Sequence, residues 1–191
     1  MESPCFAIIN HDASNLPNLK FNVRSFFLIF LNRISSFFKD GNISFDRILC
    51  DVPCSGDGTL RKNPDLWKKW NPGHAFSLQS IQLRIATRGI QLLAPGGLMV
   101  YSTCSMNPIE NESVVAQLLQ TFQGQISLVD IGDKLPGLKT IPGLNKWCVI
   151  AKNQEVYHSY EDVPSVVQSV IRPHMFPPSQ DVLETLNLNR W

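Results

Sequence analysis

Three short apolar runs, each ending in polar or small residues, constrain this chain more than any other feature. They are residues 6–9 before Asn10-His11-Asp12, residues 45–50 before Asp51, and residues 98–102 before Thr103-Cys104. Runs of this length read as parallel strands whose carboxyl ends deliver functional groups to one rim of a sheet. Between the second and third lies a stretch of helical period, about residues 78–93, with Leu78, Ile81, Ile85 and Leu92 on one face. Ser77 is the expected N-cap, and Pro95-Gly96-Gly97 is expected to stop the helix and turn the chain. Strand, helix and strand in this order predict a βαβ unit and an α/β fold.

Past Cys104, Asn107-Pro108 leads into a predicted helix over residues 110–119, whose early Glu110 and Glu112 suit a helix N-terminus. Residues 127–131 and 147–151 are further strand candidates. The tail around Arg172-Pro173-His174-Met175-Phe176-Pro177-Pro178 is too rich in proline for a helix or a central strand. Residues 24–39 hold five of the eleven phenylalanines, with Phe27, Phe30, Leu31, Ile34 and Phe38 at helical spacing, the pattern of an amphipathic core helix.

Composition narrows the class. With 43% hydrophobic and 17% charged residues over 191 positions, whole-chain disorder is excluded. The net charge of +1 neither demands nor forbids a polyanionic partner. The five cysteines, Cys5, Cys50, Cys54, Cys104 and Cys148, are odd in number and lack CxxC spacing, so neither a zinc site nor a disulfide scaffold is expected. His74, His158 and His174 show no metal-ligand spacing. No secretory signal is visible at the start, and the apolar run 26–31 breaks at Asn32-Arg33. A soluble intracellular protein with no membrane or metal partner is expected.

Two segments carry chemistry. Asp51-Val52-Pro53-Cys54-Ser55-Gly56-Asp57-Gly58 places a carboxyl and a thiol just past a strand, with proline stiffening the backbone and glycines permitting close approach of a flat ligand. Tyr101-Ser102-Thr103-Cys104-Ser105 repeats the arrangement one βα unit later. Neighbouring parallel strands end about 5 Å apart, so both thiols and Asp51 are expected to face one pocket. A lone cysteine is more often an inert buried residue, and two together also suit a redox pair. Arg61-Lys62-Asn63-Pro64-Asp65-Leu66-Trp67-Lys68-Lys69-Trp70 interleaves basic and aromatic residues; it suits phosphates and unpaired bases, or equally a solvated helix with docked tryptophans.

The strings Phe45-Asp46-Arg47-Ile48-Leu49-Cys50-Asp51-Val52-Pro53-Cys54-Ser55-Gly56-Asp57-Gly58-Thr59 and Tyr101-Ser102-Thr103-Cys104-Ser105-Met106-Asn107-Pro108-Ile109-Glu110-Asn111-Glu112 resemble the Nol/Nop/Sun RNA cytosine-5 methyltransferases, nearest their eukaryotic multisite tRNA branch. The likeness is continuous over residues 45–119 and patchier to 178. It implies a Rossmann-like fold, S-adenosylmethionine as cofactor, RNA (tRNA in particular) as substrate, and a nuclear or nucleolar place of action. By the same resemblance Cys104 is the nucleophile that adds to carbon 6 of cytosine, Cys54 assists release, and Asp51 bonds ring nitrogen 3 and lies beside the cofactor. Asp12 matches an acidic residue on the adenine side. DNA cytosine-5 methyltransferases attack instead through the cysteine of a Pro-Cys pair, which makes Pro53-Cys54 the rival assignment.

On the family pattern, the glycine-rich cofactor loop of the first strands and the last strand motif are absent from these residues. Residues 1–151 are therefore expected to form part of a catalytic domain, 24–39 to be an atypical insertion, and 152–191 to be a truncated family extension. An incomplete catalytic half, or a fragment acting only as an RNA- or partner-binding module, are the two readings this leaves.

Overall fold

The computed structural model describes residues 9–19, 38–39, 42–186 and 188. The first predicted run, residues 6–9, lies outside them except for Ile9, and so does the Phe-rich stretch up to residue 37. In chain order the described strands and α-helices begin, after a 3-10 turn at Ala13–Asn15, with β1 (Phe38–Lys39) and β2 (Asn42–Ile43), a short antiparallel ladder, and β3 (Phe45–Asp51). Then come α1 (Leu66–Lys69), α2 (His74–Leu92) and β4 (Leu93–Ser102). The rest comprises α3 (Glu112–Thr121), the antiparallel pair β5 (Val149–Ile150) and β6 (Val156–Tyr157), and α4 (Gln180–Thr185).

The chain divides into two units: one of residues 1–52 with 84–102, the other of residues 53–83 with 103–191. In the first, β3 and β4 run parallel with Ile48 opposite Met99, Leu49 opposite Val100, Cys50 opposite Tyr101 and Asp51 opposite Ser102. Parallel neighbours cannot be joined by a tight turn, and α2 supplies the crossover. Strand period puts Ile48, Cys50 and Met99 on one face, and the last turns of α2 pack there through Gly89. A Cβ on Gly89 would stand 2.8 Å from Cys50 Sγ and 2.9 Å from Met99 Sδ, so only glycine admits this approach. On the other face Leu49 and Val100 are 69% and 57% exposed. Arg88, one residue before Gly89, donates to the Leu16 carbonyl and, at 2.8 Å, to Asn18 Oδ1, pinning the segment after Asp12 onto α2.

The helix starts three residues before the expected cap: Ser77 sits inside its first turn, its hydroxyl donating to the His74 carbonyl at 3.1 Å. At the other end the helix passes straight into β4, so Pro95-Gly96-Gly97 belongs to the strand rather than to a turn before it. The cost is an irregular ladder: Phe45 pairs with Leu93 but Arg47 already with Leu98, and the residues between bulge outward.

The second unit has its own core of Ala75, Phe76, Ile109, Val149, Tyr157, Val163, Ile171, Met175 and Phe176. A smaller cluster joins Ala116 and Leu119 of α3 to Leu183 and Leu188. The proline-rich tail packs here as a 3-10 turn, Pro173–Met175, with Trp147 Nε1 donating to the Met175 carbonyl at 2.9 Å. Residues 127–131 form no strand; Leu128, Val129 and Ile131 are each more than two-fifths exposed, and no strand among the described residues offers them a ladder. The 147–151 candidate contracts to β5. Among the described residues no helix is long and apolar enough to cross a membrane, and no cluster of metal-ligating side chains forms.

Gly89→Ala tests the helix-on-sheet contact. Alanine gains about 1 kcal/mol in helix propensity, whereas overpacking a filled core costs roughly 1–3 kcal/mol. The expected outcome is a net loss of about 1 kcal/mol in denaturant unfolding; a more stable variant would refute the packing described.

Candidate active site

The two strands of the first unit feed the chain into two turns of the second. Val52 N–H bonds the Ser102 carbonyl at 3.1 Å, continuing the parallel ladder one step beyond β3. After Pro53 and after Ser102 come the turns that carry Cys54 and Cys104. Their sulfurs lie 3.1 Å apart, and the Cys104 N–H points at Cys54 Sγ at 3.2 Å. Cys104 is exposed and Cys54 half-buried; neither is in a disulfide. Burial, reinforced by the Cys104 sulfur, pushes the Cys54 thiol up to about 11 from an ordinary 9.0.

Three further bonds lock the turns together. Gly58 N–H donates to the Cys104 carbonyl at 3.0 Å, and a Cβ on Gly58 would stand 2.8 Å from that oxygen, a backbone atom with no room to yield. Met106 N–H donates to Asp57 Oδ1 at 2.9 Å. The Ser55 and Ser105 hydroxyls, each next to a cysteine, lie 3.3 Å apart. Within the Cys104 turn, Thr103 donates to Asn111 Oδ1 at 2.7 Å and Asn111 Nδ2 donates to the Ser105 carbonyl at 2.9 Å.

Beneath both turns lies Glu110, fully buried. Its carboxyl accepts from Ser55 N–H at 2.8 Å, from the Ser55 hydroxyl, from the Ser105 hydroxyl at 2.9 Å and from Gln82 Nε2 at 2.9 Å. Gln82, also fully buried, donates as well to the Pro53 carbonyl at 2.9 Å. Both its partners are acceptors, so its amide nitrogen must face them. The expectation that Glu110 opens a helix is corrected: α3 begins at Glu112, and Glu110 precedes it, turned inward. A fully polar-satisfied carboxyl is required there, because an unpaired one is too costly to bury. The pattern Ser-x(54)-Glu has no sequence signature, although Glu110 stood within the motif string.

Of the other expected site residues, Asp51 closes β3 and its Oδ1 accepts from the Ser102 hydroxyl at 2.8 Å. Asp12 is exposed and caps the 3-10 turn Ala13–Asn15, accepting from Ser14 N–H at 2.9 Å, the Ser14 hydroxyl at 2.8 Å and Asn15 Nδ2 at 3.0 Å. The Ser14 bonds hold its carboxyl below the usual range, so it is ionised near neutral pH. In the basic and aromatic segment, Trp67 is 70% exposed, and Lys68 and Lys69 are exposed beside it. Leu66 packs towards Gly56 of the Cys54 turn, 3.4 Å from where a Cβ would stand.

The comparison with known proteins gives the family to which this arrangement belongs. The family model described as 16S rRNA methyltransferase RsmB/F matches residues 14–137, and the chain belongs to this family of methyltransferases, with their Rossmann-like fold. The chain is 43% identical over 194 residues to the tRNA (cytosine(34)-C(5))-methyltransferase of Drosophila melanogaster, covering 100% of this chain and 24% of that protein. It is 42% identical over 191 residues to the multisite-specific tRNA:(cytosine-C(5))-methyltransferase trm4b of Schizosaccharomyces pombe, covering 100% and 27%. The multisite-specific enzyme of Saccharomyces cerevisiae is 46% identical over 153 residues, 80% of this chain and 21% of that protein. The chain thus spans about a quarter of the length of these curated relatives.

The contrast between the thiols is testable by iodoacetamide labelling and peptide mapping. At pH 8 the half-buried Cys54 thiol, at about 11, is almost wholly protonated, whereas the Cys104 sulfur is exposed to the reagent, so Cys104 is expected to be modified first. Because the fold raises the Cys54 value, its stabilising contribution is complete below pH 9.0 and drains away as pH rises through about 11, where Cys54 labelling should climb. Cys54 reacting ahead of Cys104 at pH 8 would contradict the assignment.

Proposed function

We propose that this chain carries the reaction centre for methylation of carbon 5 of cytosine in RNA, most directly tRNA, with Cys104 as the nucleophile. The single observation that carries this is the thiol pair: an exposed Cys104 sulfur 3.1 Å from a half-buried Cys54 whose thiol stays protonated at neutral pH. The attacking group must be a thiolate, which disfavours Cys54 and the Pro-Cys rival. A protonated Cys54 can instead donate its S–H to the Cys104 sulfur, stabilising negative charge there.

Carbon 5 of cytosine is a weak nucleophile. Addition of Cys104 to carbon 6 turns the ring into an enamine whose carbon 5 can accept a methyl group. Asp51, its carboxyl oriented by Ser102, bonds ring nitrogen 3 as the adduct forms. After loss of the carbon 5 proton, elimination breaks the bond from Cys104 to carbon 6, and Cys54 assists this release. S-adenosylmethionine, when bound, supplies an electrophilic methyl group. The residues present fit its amino groups: Asp12 is an ionised, rotamer-fixed acceptor whose Oδ2 takes one bond from Asn15, and Asp51 offers a second carboxyl at the strand end. Exposed Trp67 with Lys68, Lys69, Arg61 and Lys62 supports an RNA-contacting surface beside the Cys54 turn, through base stacking and phosphate pairing. The relatives' names point to tRNA, and on the family resemblance the proposed place of action is the nucleus or nucleolus.

A chimera in which these residues replace the matching segment of the fly relative tests the reading. With tRNA and S-adenosylmethionine, Cys54→Ala is expected to accumulate a denaturation-resistant protein–RNA adduct, because release fails after attack. Cys104→Ala should form none, and both should lose at least about 100-fold in turnover. The reverse pattern of adducts would sink the assigned roles.

A further inference from the structure

Glu110 is not needed for any step above, yet it is fully buried directly beneath both thiol turns. The bonds it accepts do not lie within one turn. Ser55, reached through both N–H and hydroxyl, follows Cys54; Ser105 follows Cys104; Gln82 belongs to α2 and itself holds the carbonyl of Pro53, the residue before Cys54. Ser105 carries a further share, its hydroxyl oxygen accepting Asn107 N–H at 3.0 Å. The covalent path from Cys54 to Cys104 runs through α2 and β4, and of the contacts that shortcut it, the bonds of Gly58, Asp57, the serine hydroxyls and the cysteines themselves join turn to turn, whereas this carboxyl also reaches α2.

We infer that Glu110 is a positioning residue: it clamps the two cysteine turns onto α2 and thereby sets the separation of the Cys54 and Cys104 sulfurs. The inference rests on the two-thiol reading above for its functional meaning, since the separation matters only if both sulfurs serve one base. A carboxyl is the side chain that fits, because each of the four bonds named comes from a donor. Ser55 N–H and Gln82 Nε2 share one carboxyl oxygen and the two serine hydroxyls the other, so the amide of Glu110→Gln can be accommodated, its N–H₂ meeting hydroxyls that rotate to accept it. The apolar Glu110→Met instead leaves the Ser55 N–H and the Gln82 amide without their buried acceptor, a loss that has to be relieved by moving a turn.

The test uses the chain alone. Diamide oxidises two thiols to a disulfide: the S–S bond forms as both S–H bonds break, and the two electrons and two protons pass to the N=N bond, which becomes a hydrazine. Its rate for Cys54 and Cys104, divided by the iodoacetamide rate of Cys104 in the same preparation, measures how often the sulfurs meet. Glu110→Met is expected to lower this ratio about tenfold while circular dichroism and a cooperative melt persist, since displacements of about 1 Å change approach-limited rates by such factors. Gly89→Ala is the control for lost stability alone and should leave the ratio unchanged. Should Glu110→Met fail to fold, Ser55→Ala combined with Ser105→Ala removes two of the donors and is expected to lower the ratio about threefold. An unchanged ratio in the variant that folds, or an equal fall in Gly89→Ala, would overturn the inference. The adduct assay in the chimera is scored separately. A lowered ratio without any adduct from the unmodified site sinks the functional reading and leaves the clamp, whereas adducts with an unchanged ratio sink only the clamp.

Discussion

The carboxyl group of Glu110, withdrawn from solvent and filled by donors from Ser55, Ser105 and Gln82, is the interaction on which the thiol site depends. Two turns separated by fifty residues of sequence have no local reason to hold their sulfurs at 3.1 Å. Conformational entropy opposes the pairing, at about 1–2 kcal/mol for every residue ordered. Direct bonds from Gly58 and Asp57 help, but they join one turn to the other at the exposed side. The buried carboxyl adds a third body, the long helix, and so refers both turns to a rigid element. Charge-assisted and buried hydrogen bonds are worth more than exposed ones because water cannot replace them.

Given that frame, the chemical difference between the thiols follows from depth. Cys54 loses solvation and faces another sulfur, both of which disfavour its thiolate. Cys104 stays exposed on the outer side of the same contact. On the proposed roles, a nucleophile that a flat base can reach is backed by a thiol that keeps its proton, a division of labour built from burial and from the contact of the two sulfurs. Cys50 shows the contrasting use of the same side chain: buried against Met99 and Gly89, its thiol also pushed up, it acts as packing for the sheet.

Much of this was legible in the residues. Strand period in 45–50 and 98–102 and the apolar stripe between them were enough for a parallel βαβ unit, because a sheet face and a helix stripe each have a characteristic period. The same pattern put Cys54 and Cys104 just past neighbouring strand ends. What was not legible depended on contacts rather than period. Pro95-Gly96-Gly97 reads as a turn, yet tertiary pairing draws it into β4 as a bulge. Residues 127–131 have strand composition but no partner strand among the described residues, and composition alone does not make a ladder. Glu110 has the position of a helix-dipole acid, and only its burial shows that it serves two serines distant in sequence.

The central claim is that the exposed thiol of this pair, and not the half-buried one, bonds to the base. Tandem mass spectrometry of the chimera's nuclease-trimmed adduct with RNA containing 5-azacytidine measures this directly, since the residual nucleotide marks the attacking sulfur. A nucleotide on Cys104 is the predicted result. A nucleotide on Cys54 would contradict the account.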